Sequence, residues 1–168
     1  MSPELAIITP TSKDPEVRRR TPALNDRAFR VYAPMSDPDV RVPMLISSDI
    51  VNARQQGRAL AQRVGFSNSN VTIIATAISE ISRNIVAYAQ DGEVRMTLIE
   101  ESSRRGVRIV ASDNGPGIPD VSVAMRDGYS TGQGLGIGLP GSRRLMDDFE
   151  IESTVGKGTT VTMTKWVA

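Results

Sequence analysis

The stretch Asp113-Asn114-Gly115-Pro116-Gly117-Ile118-Pro119 decides the fold of this 168-residue chain. It joins one carboxylate to a turn in which two glycines let another molecule approach the backbone closely. Before it, residues 93–100 and 106–112 alternate apolar and polar side chains on either side of a Ser102-Ser103-Arg104-Arg105 turn, which predicts a β-hairpin. After it, a short helix is predicted over residues 120–127. The stretch therefore marks the end of a strand.

The clearest helix of the chain lies upstream of this turn. It begins near Asn68 or Ser69, and its apolar side chains recur three and four residues apart at Val71, Ile74, Ile78, Ile81 and Ile85. An earlier helix is predicted to begin at a Ser48 cap and to end at Gly65. A short strand at residues 44–46 is predicted to precede it.

The downstream half predicts one more helix and a second hairpin. Pro140 suits the first turn of a helix that runs to Asp147, and residues 149–154 and 159–166 pair across Gly156-Lys157-Gly158. Because the strands come in adjacent pairs, we predict an α/β fold of the two-layer α+β sandwich type. Its mixed sheet is covered by helices on one face, in preference to a doubly wound parallel sheet. The other face would stay partly exposed.

The first 41 residues differ in composition from the rest. Residues 1–40 hold six of the ten prolines with six basic and six acidic residues, and they show no sustained helical or strand period. We therefore predict a flexible extension rich in proline and arginine over residues 1–41, and one domain over residues 42–168. In the extension, Arg18-Arg19-Arg20 could form a docking element, although a solvated charged segment is the preferred interpretation.

The charge balance argues against two classes of partner. Twenty Lys and Arg side chains against nineteen Asp and Glu leave a net charge of +1, which gives no electrostatic reason to expect nucleic acid or a membrane. No apolar run approaches the roughly 20 residues that span a bilayer, and the start of the chain lacks the pattern of a secretory signal. We therefore expect a cytoplasmic protein.

The chain contains no cysteine and no histidine. Their absence excludes disulfides, thiol nucleophiles, cysteine–zinc sites, a Ser-His-Asp triad and a phosphohistidine. Any general base must therefore be a carboxylate, a lysine or a tyrosine.

Glu80 and Asn84 lie four residues apart on the second helix, so they share one face, roughly opposite the isoleucine stripe. Asn84 offers a neutral carbonyl oxygen to a hard cation such as Mg²⁺, and Glu80 could accept a proton from an attacking hydroxyl or water. In isolation the pattern is more typical of an exposed Glu and Asn on an amphipathic helix. The functional interpretation requires a ligand that covers this face.

Asp113 and the glycines after it suit an adenine ring. A carboxylate at a strand end can accept a hydrogen bond from an exocyclic amine, and Gly115 and Gly117 let a ring come close, although an ordinary strand-to-helix turn would have the same sequence. Residues 130–138 expose successive backbone N–H groups before the helix at Pro140, as a phosphate-binding lid would; a merely flexible loop is the alternative. Together these parts predict an ATP site and a nucleotide-dependent phosphotransferase.

Four motifs together resemble a known superfamily. They are Glu80-x-x-x-Asn84, Asp113-x-Gly115-x-Gly117, the lid from Gly132 to Gly138, and Gly158-Thr159. Their order is that of the N, G1, G2 and G3 boxes of the gyrase, Hsp90, histidine kinase and MutL (GHKL) ATPases. Within that superfamily, residues 42–168 look most like the switch serine/threonine kinases of bacterial stressosomes, the RsbT type. That likeness rests on four sequence segments, at residues 77–85, 113–120, 138–141 and 144–147.

The resemblance implies a Bergerat-type fold that binds ATP and Mg²⁺. It implies that Glu80 activates the hydroxyl of the substrate, that Asn84 holds the Mg²⁺ ion, and that Asp113 binds the adenine. Thr159 would lie near Asp113, and the lid would cover the phosphates. The implied nucleotide-binding residues are Asn84, Asp113, Gly115, Gly117, Thr131, Gly132, Gly134, Leu135, Gly136, Gly138 and Thr159.

The resemblance also implies partners. The substrate would be a serine or threonine on a STAS-domain scaffold or antagonist protein of the stressosome. The kinase, once released from that scaffold, would activate a PP2C-type phosphatase in sigma-factor regulation. The alternative from another class is an anti-sigma factor or adaptor that binds ATP and a protein partner without being chiefly a catalyst. A nucleotide-driven clamp is ranked last, because we expect no transducer domain in a chain of this length.

Overall fold

The computed structural model describes residues 39–126 and 137–168. Its helices are α1 (Ser47–Val64), α2 (Asn68–Asn84), α3 (Val121–Ala124) and α4 (Gly138–Leu145), and a π-helical turn (Ile85–Ala89) continues α2. Its strands are β1 (Val40–Pro43), β2 (Gly92–Glu101), β3 (Arg104–Asp113), β4 (Asp148–Thr154) and β5 (Gly158–Trp166). In these two ranges, no helix is long and apolar enough to cross a bilayer.

The five strands form one sheet in the order β1-β2-β3-β5-β4. The predicted two-layer α/β fold is confirmed, and both predicted hairpins, β2–β3 and β4–β5, are present. The sheet itself differs from the predicted mixed sheet, because all four pairings in the described residues are antiparallel. β3 and β4 run in the same direction, but β5 lies between them, so no two parallel strands are neighbours.

One face of the sheet carries the hydrophobic core. Along β2 the buried residues alternate with half-buried ones, and the register places Met96 opposite Ile109 and Ile109 opposite Met163. These three side chains are fully buried, as is the predicted isoleucine stripe of α2 at Ile74 and Ile78. Because α1 and α2 pack against each other and on this face, the core lies between a helical layer and the sheet.

The opposite face of the sheet is lined by polar and half-buried side chains, as predicted. At its edge the guanidinium of Arg104 stacks over the ring of Trp166, 4.5 Å from the centroid. Partial burial by itself raises the pKa of Asp147. Hydrogen bonds from Lys165 Nζ (2.7 Å) and from the backbone N–H of Trp166 (2.8 Å) outweigh that effect and leave the pKa of Asp147 below its usual value.

The start of the domain differs from the prediction. The first strand is Val40–Pro43, not residues 44–46, and α1 begins without a Ser48 cap. The carboxylate of Asp49 accepts the backbone N–H groups of Ile46 (3.0 Å) and Leu45 (2.9 Å), which lowers the pKa of Asp49. Since these N–H groups bond to the helix start, they are not available to pair with β2.

The remaining helix ends follow local signals. α1 ends before Gly65, as predicted, and the hydroxyl of Ser67 caps α2 by accepting the N–H of Asn70 at 3.3 Å. α3 is shorter than the predicted helix over residues 120–127, and α4 lies two residues earlier than predicted. The turn between β2 and β3 contains only Ser102 and Ser103, both with positive φ, as in the tight two-residue turns of hairpins.

Candidate nucleotide-binding site

Three element ends meet at the C-terminal end of β3. A Cβ atom built on Gly92 would lie 2.6 Å from Cγ2 of Ile85 and 3.2 Å from Cα of Asp113, so the end of α2 adjoins the end of β3. A Cβ atom on Gly158 would overlap the carbonyl oxygen of Asp113, so the start of β5 adjoins the same point. The fold therefore brings together motifs that lie far apart in the sequence.

Asp113 is held by one oxygen of its carboxylate. Its Oδ1 accepts the backbone N–H of Gly115 at 2.9 Å and that of Thr159 at 3.1 Å. Among the described residues, Oδ2 accepts no hydrogen bond. The side chain is half-buried. One oxygen therefore fixes the carboxylate, and the other is available to accept a hydrogen bond from a ligand amine.

The loop after Asp113 is tied to the β4–β5 hairpin. The backbone N–H of Ile118 donates to Ser153 Oγ at 2.8 Å, and the N–H of Gly156 donates to the carbonyl of Pro116 at 2.8 Å. Ser153 Oγ also lies 2.8 Å from Thr159 Oγ1. These bonds place Thr159 beside Asp113, as the resemblance implied.

Packing within the protein leaves no room for a side chain at Gly115 or Gly117. Gly117 adopts φ +71°, and a Cβ atom there would overlap the carbonyl oxygen of Thr154. A Cβ atom on Gly115 would lie 2.6 Å from Cβ of Ala89 in the π-helical turn. Close packing against these neighbours thus accounts for both glycines, beside the close approach of a ring that the sequence predicts.

Glu80 lies inside the protein, where the amphipathic pattern alone favoured an exposed side chain. The residue is 4% exposed, and its Oε1 accepts a hydrogen bond from Arg83 Nη1 at 2.5 Å. α2 packs against α4, which covers part of the helix surface. The predicted base is therefore a buried, ion-paired carboxylate.

Asn84 is the last residue of α2 and leads into the π-helical turn. Its side chain is half-buried, and within residues 39–126 and 137–168 its amide makes no hydrogen bond to protein. A π-helical turn is rare and is found frequently at functional sites. The carboxamide oxygen is therefore available to a cation or a nucleotide.

The predicted lid lies mostly outside the described residues. This holds for Thr131, Gly132, Gly134, Leu135 and Gly136, whereas Gly138 is described and begins α4 with φ +49°.

Before the residues that are not described, Asp120 caps the short helix α3. The hydroxyl of Ser122 and, next, the backbone N–H of Val123 donate to its carboxylate and lower the pKa of Asp120.

Sequence reasoning missed three contributors to this site. Arg83 lies three residues after Glu80, so the helical spacing rule could have paired them. Asp91 accepts Asn114 Nδ2 at 3.2 Å and so steadies the loop. Neither it nor Ser153 has a local sequence signal, because their partners lie 23 and 35 residues away.

The fold and this cluster of side chains define a class of ATPase domain. The chain belongs to the family described as histidine kinase-like ATPase domain, whose model matches residues 47–165. The resemblance to the GHKL superfamily is thereby confirmed.

Two relatives of known name are similar to this chain in sequence. The chain is 45% identical over 126 residues to "Serine/threonine-protein kinase RsbT" of Bacillus subtilis (strain 168), which covers 75% of this chain and 95% of that protein. It is 31% identical over 119 residues to "Anti-sigma F factor" of Thermoanaerobacter sp. (strain X514), which covers 68% of this chain and 83% of the relative.

A solved structure shares the fold. It is the crystal structure of the RsbU and RsbW domains of Rv1364c from Mycobacterium tuberculosis, with a TM-score of 0.53 and 22% sequence identity. The match covers 76% of this chain and 32% of that one. At this identity the likeness concerns the fold alone.

Proposed function

We propose that this protein is an ATP-dependent protein serine/threonine kinase, whose kinase domain comprises the predicted residues 42–168 together with Val40 and Arg41 of β1, which pair with β2. The observation that carries the proposal lies at the end of α2. There the buried carboxylate of Glu80 precedes Asn84 by one turn, and the amide of Asn84 has no hydrogen bond within the part of the chain that the structure describes. A base and a cation ligand one turn apart suit phosphoryl transfer, which depends mostly on positioning and charge neutralisation. The 45% identity to a protein named a serine/threonine kinase supports the same activity.

The adenine would be recognised by Asp113. Its Oδ1 is occupied by two backbone N–H groups, so Oδ2 would accept the exocyclic amine of the base. Gly115, Gly117 and Thr159 would line this part of the site. The phosphates would contact the predicted lid, at residues 131–136 and Gly138, close to the start of α4.

Asn84 would hold Mg²⁺ through its carbonyl oxygen. In the ranges 39–126 and 137–168 no group of three or more Asp or Glu side chains could hold a metal ion. A Mg²⁺ ion at Asn84 would therefore take most of its ligands from phosphate oxygens and water, as is usual for this ion. When bound, Mg-ATP supplies the phosphoryl group that is transferred.

Glu80 would act as the general base. Its carboxylate would accept the proton of the substrate hydroxyl as the oxygen of that hydroxyl forms a bond to the γ-phosphorus, while the bond from this phosphorus to the bridging oxygen of ADP breaks and ADP leaves. Burial in a site from which water is largely excluded strengthens the electrostatic part of this interaction.

The substrate would be a serine or threonine of a STAS-domain scaffold or antagonist protein in a stressosome. After release from that scaffold, the kinase would bind and activate a PP2C-type phosphatase in the cytoplasm. The basis is the resemblance to the RsbT-type kinases, together with the identity reported above. Of the predicted extension over residues 1–41, residues 1–38 lie outside the described part of the chain, and Val40 and Arg41 belong to β1.

The test is a transfer assay with the full chain. The protein is incubated with radiolabelled Mg-ATP and a STAS-domain protein of the same cell, and the product is hydrolysed to identify phosphoserine or phosphothreonine. The control is the same STAS-domain protein with its labelled residue replaced by alanine. Labelled phosphoserine or phosphothreonine supports the proposal, whereas ATP binding without transfer contradicts it.

The second candidate function is an anti-sigma factor or adaptor. The 31% identity to a protein named Anti-sigma F factor favours it. In that case the chain would bind a sigma factor in the presence of ATP, and its affinity for that partner would not depend on the carboxylate of Glu80. Co-elution with the sigma factor, unchanged by Glu80→Gln, would support this function.

A further inference from the structure

The pair formed by Glu80 and Arg83 is unequally exposed. Arg83 Nη1 lies 2.5 Å from Glu80 Oε1, and the carboxylate side chain is 5% exposed while that of the arginine is 35% exposed. The base of the proposed reaction is thus inside the protein, and the cation that neutralises it stands at the surface. An ordinary i, i+3 pair on a helix has both members in solvent.

Arg83 holds the buried carboxylate of Glu80 in place. A buried carboxylate loses its hydration, so a cation or hydrogen bonds must replace the lost water. Among the described residues, Arg83 is the only cation within 4.0 Å of this carboxylate. Without it, the carboxylate would lose the contact that fixes its orientation inside the protein.

Arg83 also determines which oxygen of the Glu80 carboxylate remains available to a substrate. Its guanidinium binds Oε1, and Oε2 has no hydrogen bond among the residues that the structure describes. The oxygen that Arg83 leaves unoccupied is therefore the one that an incoming hydroxyl would approach.

We propose that Arg83 is a positioning residue that fixes the carboxylate of Glu80 through Oε1 and presents its Oε2 to the substrate hydroxyl. The proposal rests on the kinase function proposed above. In this proposal Arg83 acts through Glu80 and not through the nucleotide. Removing it should lower the rate of transfer at saturating ATP and leave the affinity for ATP unchanged.

A double-mutant cycle tests this role. Wild type, Arg83→Met, Glu80→Gln and the double variant are compared for phosphate transfer to the STAS-domain protein at saturating substrates, with KM for ATP measured in parallel. Arg83→Met should lower kcat by about 10²-fold, the effect of a misplaced reacting group, with KM for ATP within about twofold of wild type. In the Glu80→Gln background, the same change should have no further effect, because the group through which it acts is already lost.

Two further variants separate positioning from folding. Arg83→Lys keeps a positive charge beside Oε1 and should recover at least about one tenth of the wild-type kcat. Arg63→Met removes the arginine in the last turn of α1 and should leave kcat unchanged. If Arg83→Met does not fold, the cycle is run with Arg83→Gln, which keeps a hydrogen-bond donor and removes the charge.

The outcomes distinguish a failure of the role of Arg83 from a failure of the kinase function. An equal loss in both backgrounds, a loss confined to KM for ATP, or wild-type kcat in Arg83→Met would overturn the role of Arg83 while leaving the kinase function intact. If wild type itself transfers no phosphate, the proposed function fails, and the role of Arg83 fails with it. Loss of kcat in the wild-type background only, with partial recovery by lysine, supports the proposal.

Discussion

Replacing Asp113 with asparagine tests the nucleotide site with little change to the fold. In the structure Oδ1 accepts two backbone N–H groups, from Gly115 and Thr159. Asparagine keeps an oxygen at that position, so both bonds can persist. The amide NH₂ takes the place of Oδ2, where it would face the amine of adenine as a second donor.

The expected loss of affinity follows from the single bond that is removed. A hydrogen bond to a charged group contributes about 1.5–3 kcal/mol, and about 1.4 kcal/mol corresponds to a tenfold change in affinity. Asp113→Asn should therefore weaken ATP binding by roughly 10- to 150-fold. Thermal unfolding should stay close to wild type, because the two backbone N–H groups keep their acceptor.

Isothermal titration calorimetry with Mg-ATP measures the affinity, and a thermal melt without nucleotide measures the stability. Asp148→Asn is the matched control: it makes the same change in charge on the edge strand, where Asp148 Oδ2 accepts Trp166 Nε1 at 2.9 Å. Wild-type affinity in Asp113→Asn would refute the adenine contact. A weaker affinity together with an equally large loss of stability would show that Asp113 acts on the fold.

Three further predictions concern other parts of the structure. Glu80→Gln should lower phosphate transfer by roughly 10²–10⁴-fold with ATP affinity nearly unchanged, and undiminished transfer would remove Glu80 from the mechanism. Gly158→Ala and Gly156→Ala both place a side chain at positive φ, at a cost of about 1–2 kcal/mol each. Only at Gly158 would the Cβ atom also overlap the carbonyl of Asp113, so Gly158→Ala should melt at a distinctly lower temperature; equal melting temperatures would contradict that close contact. The pKa of Asp147 is lowered in the folded state, so its contribution to stability is present above its unfolded pKa near 3.8 and is lost as pH falls through the folded value. Urea unfolding of wild type and Asp147→Asn should differ at pH 7 and converge in acid, and a constant difference would contradict the shift.

The elements with strong local signals were predicted well from the sequence. The isoleucine spacing of α2 and the glycine after α1 place both helices, and the alternating strands place both hairpins. The error at the first strand arises from a side-chain contact three and four residues away, which composition alone does not show. Residues 44–46 have the composition of a strand, but Asp49 binds the backbone of Leu45 and Ile46 and thereby ends β1 at Pro43.

The candidate site was predicted as a set of residue types, and the structure supplies their arrangement. Glu80, Asn84 and Asp113 could be singled out because their spacing and flanking glycines are visible in the sequence. The anchoring of Asp113 by the N–H of Thr159, 46 residues later, depends on β5 lying beside β3.

The sequence by itself determined the superfamily, the two-layer fold and the side chains that carry the proposed chemistry, because each depends on periodicity or on a short motif. Only the tertiary structure decided the strand order, the burial of Glu80 and which carboxylate oxygen stays available at Asp113. Those properties depend on contacts between segments that are distant along the chain. Local sequence sets whether each segment prefers a helix, a strand or a turn, and packing determines which segments become neighbours.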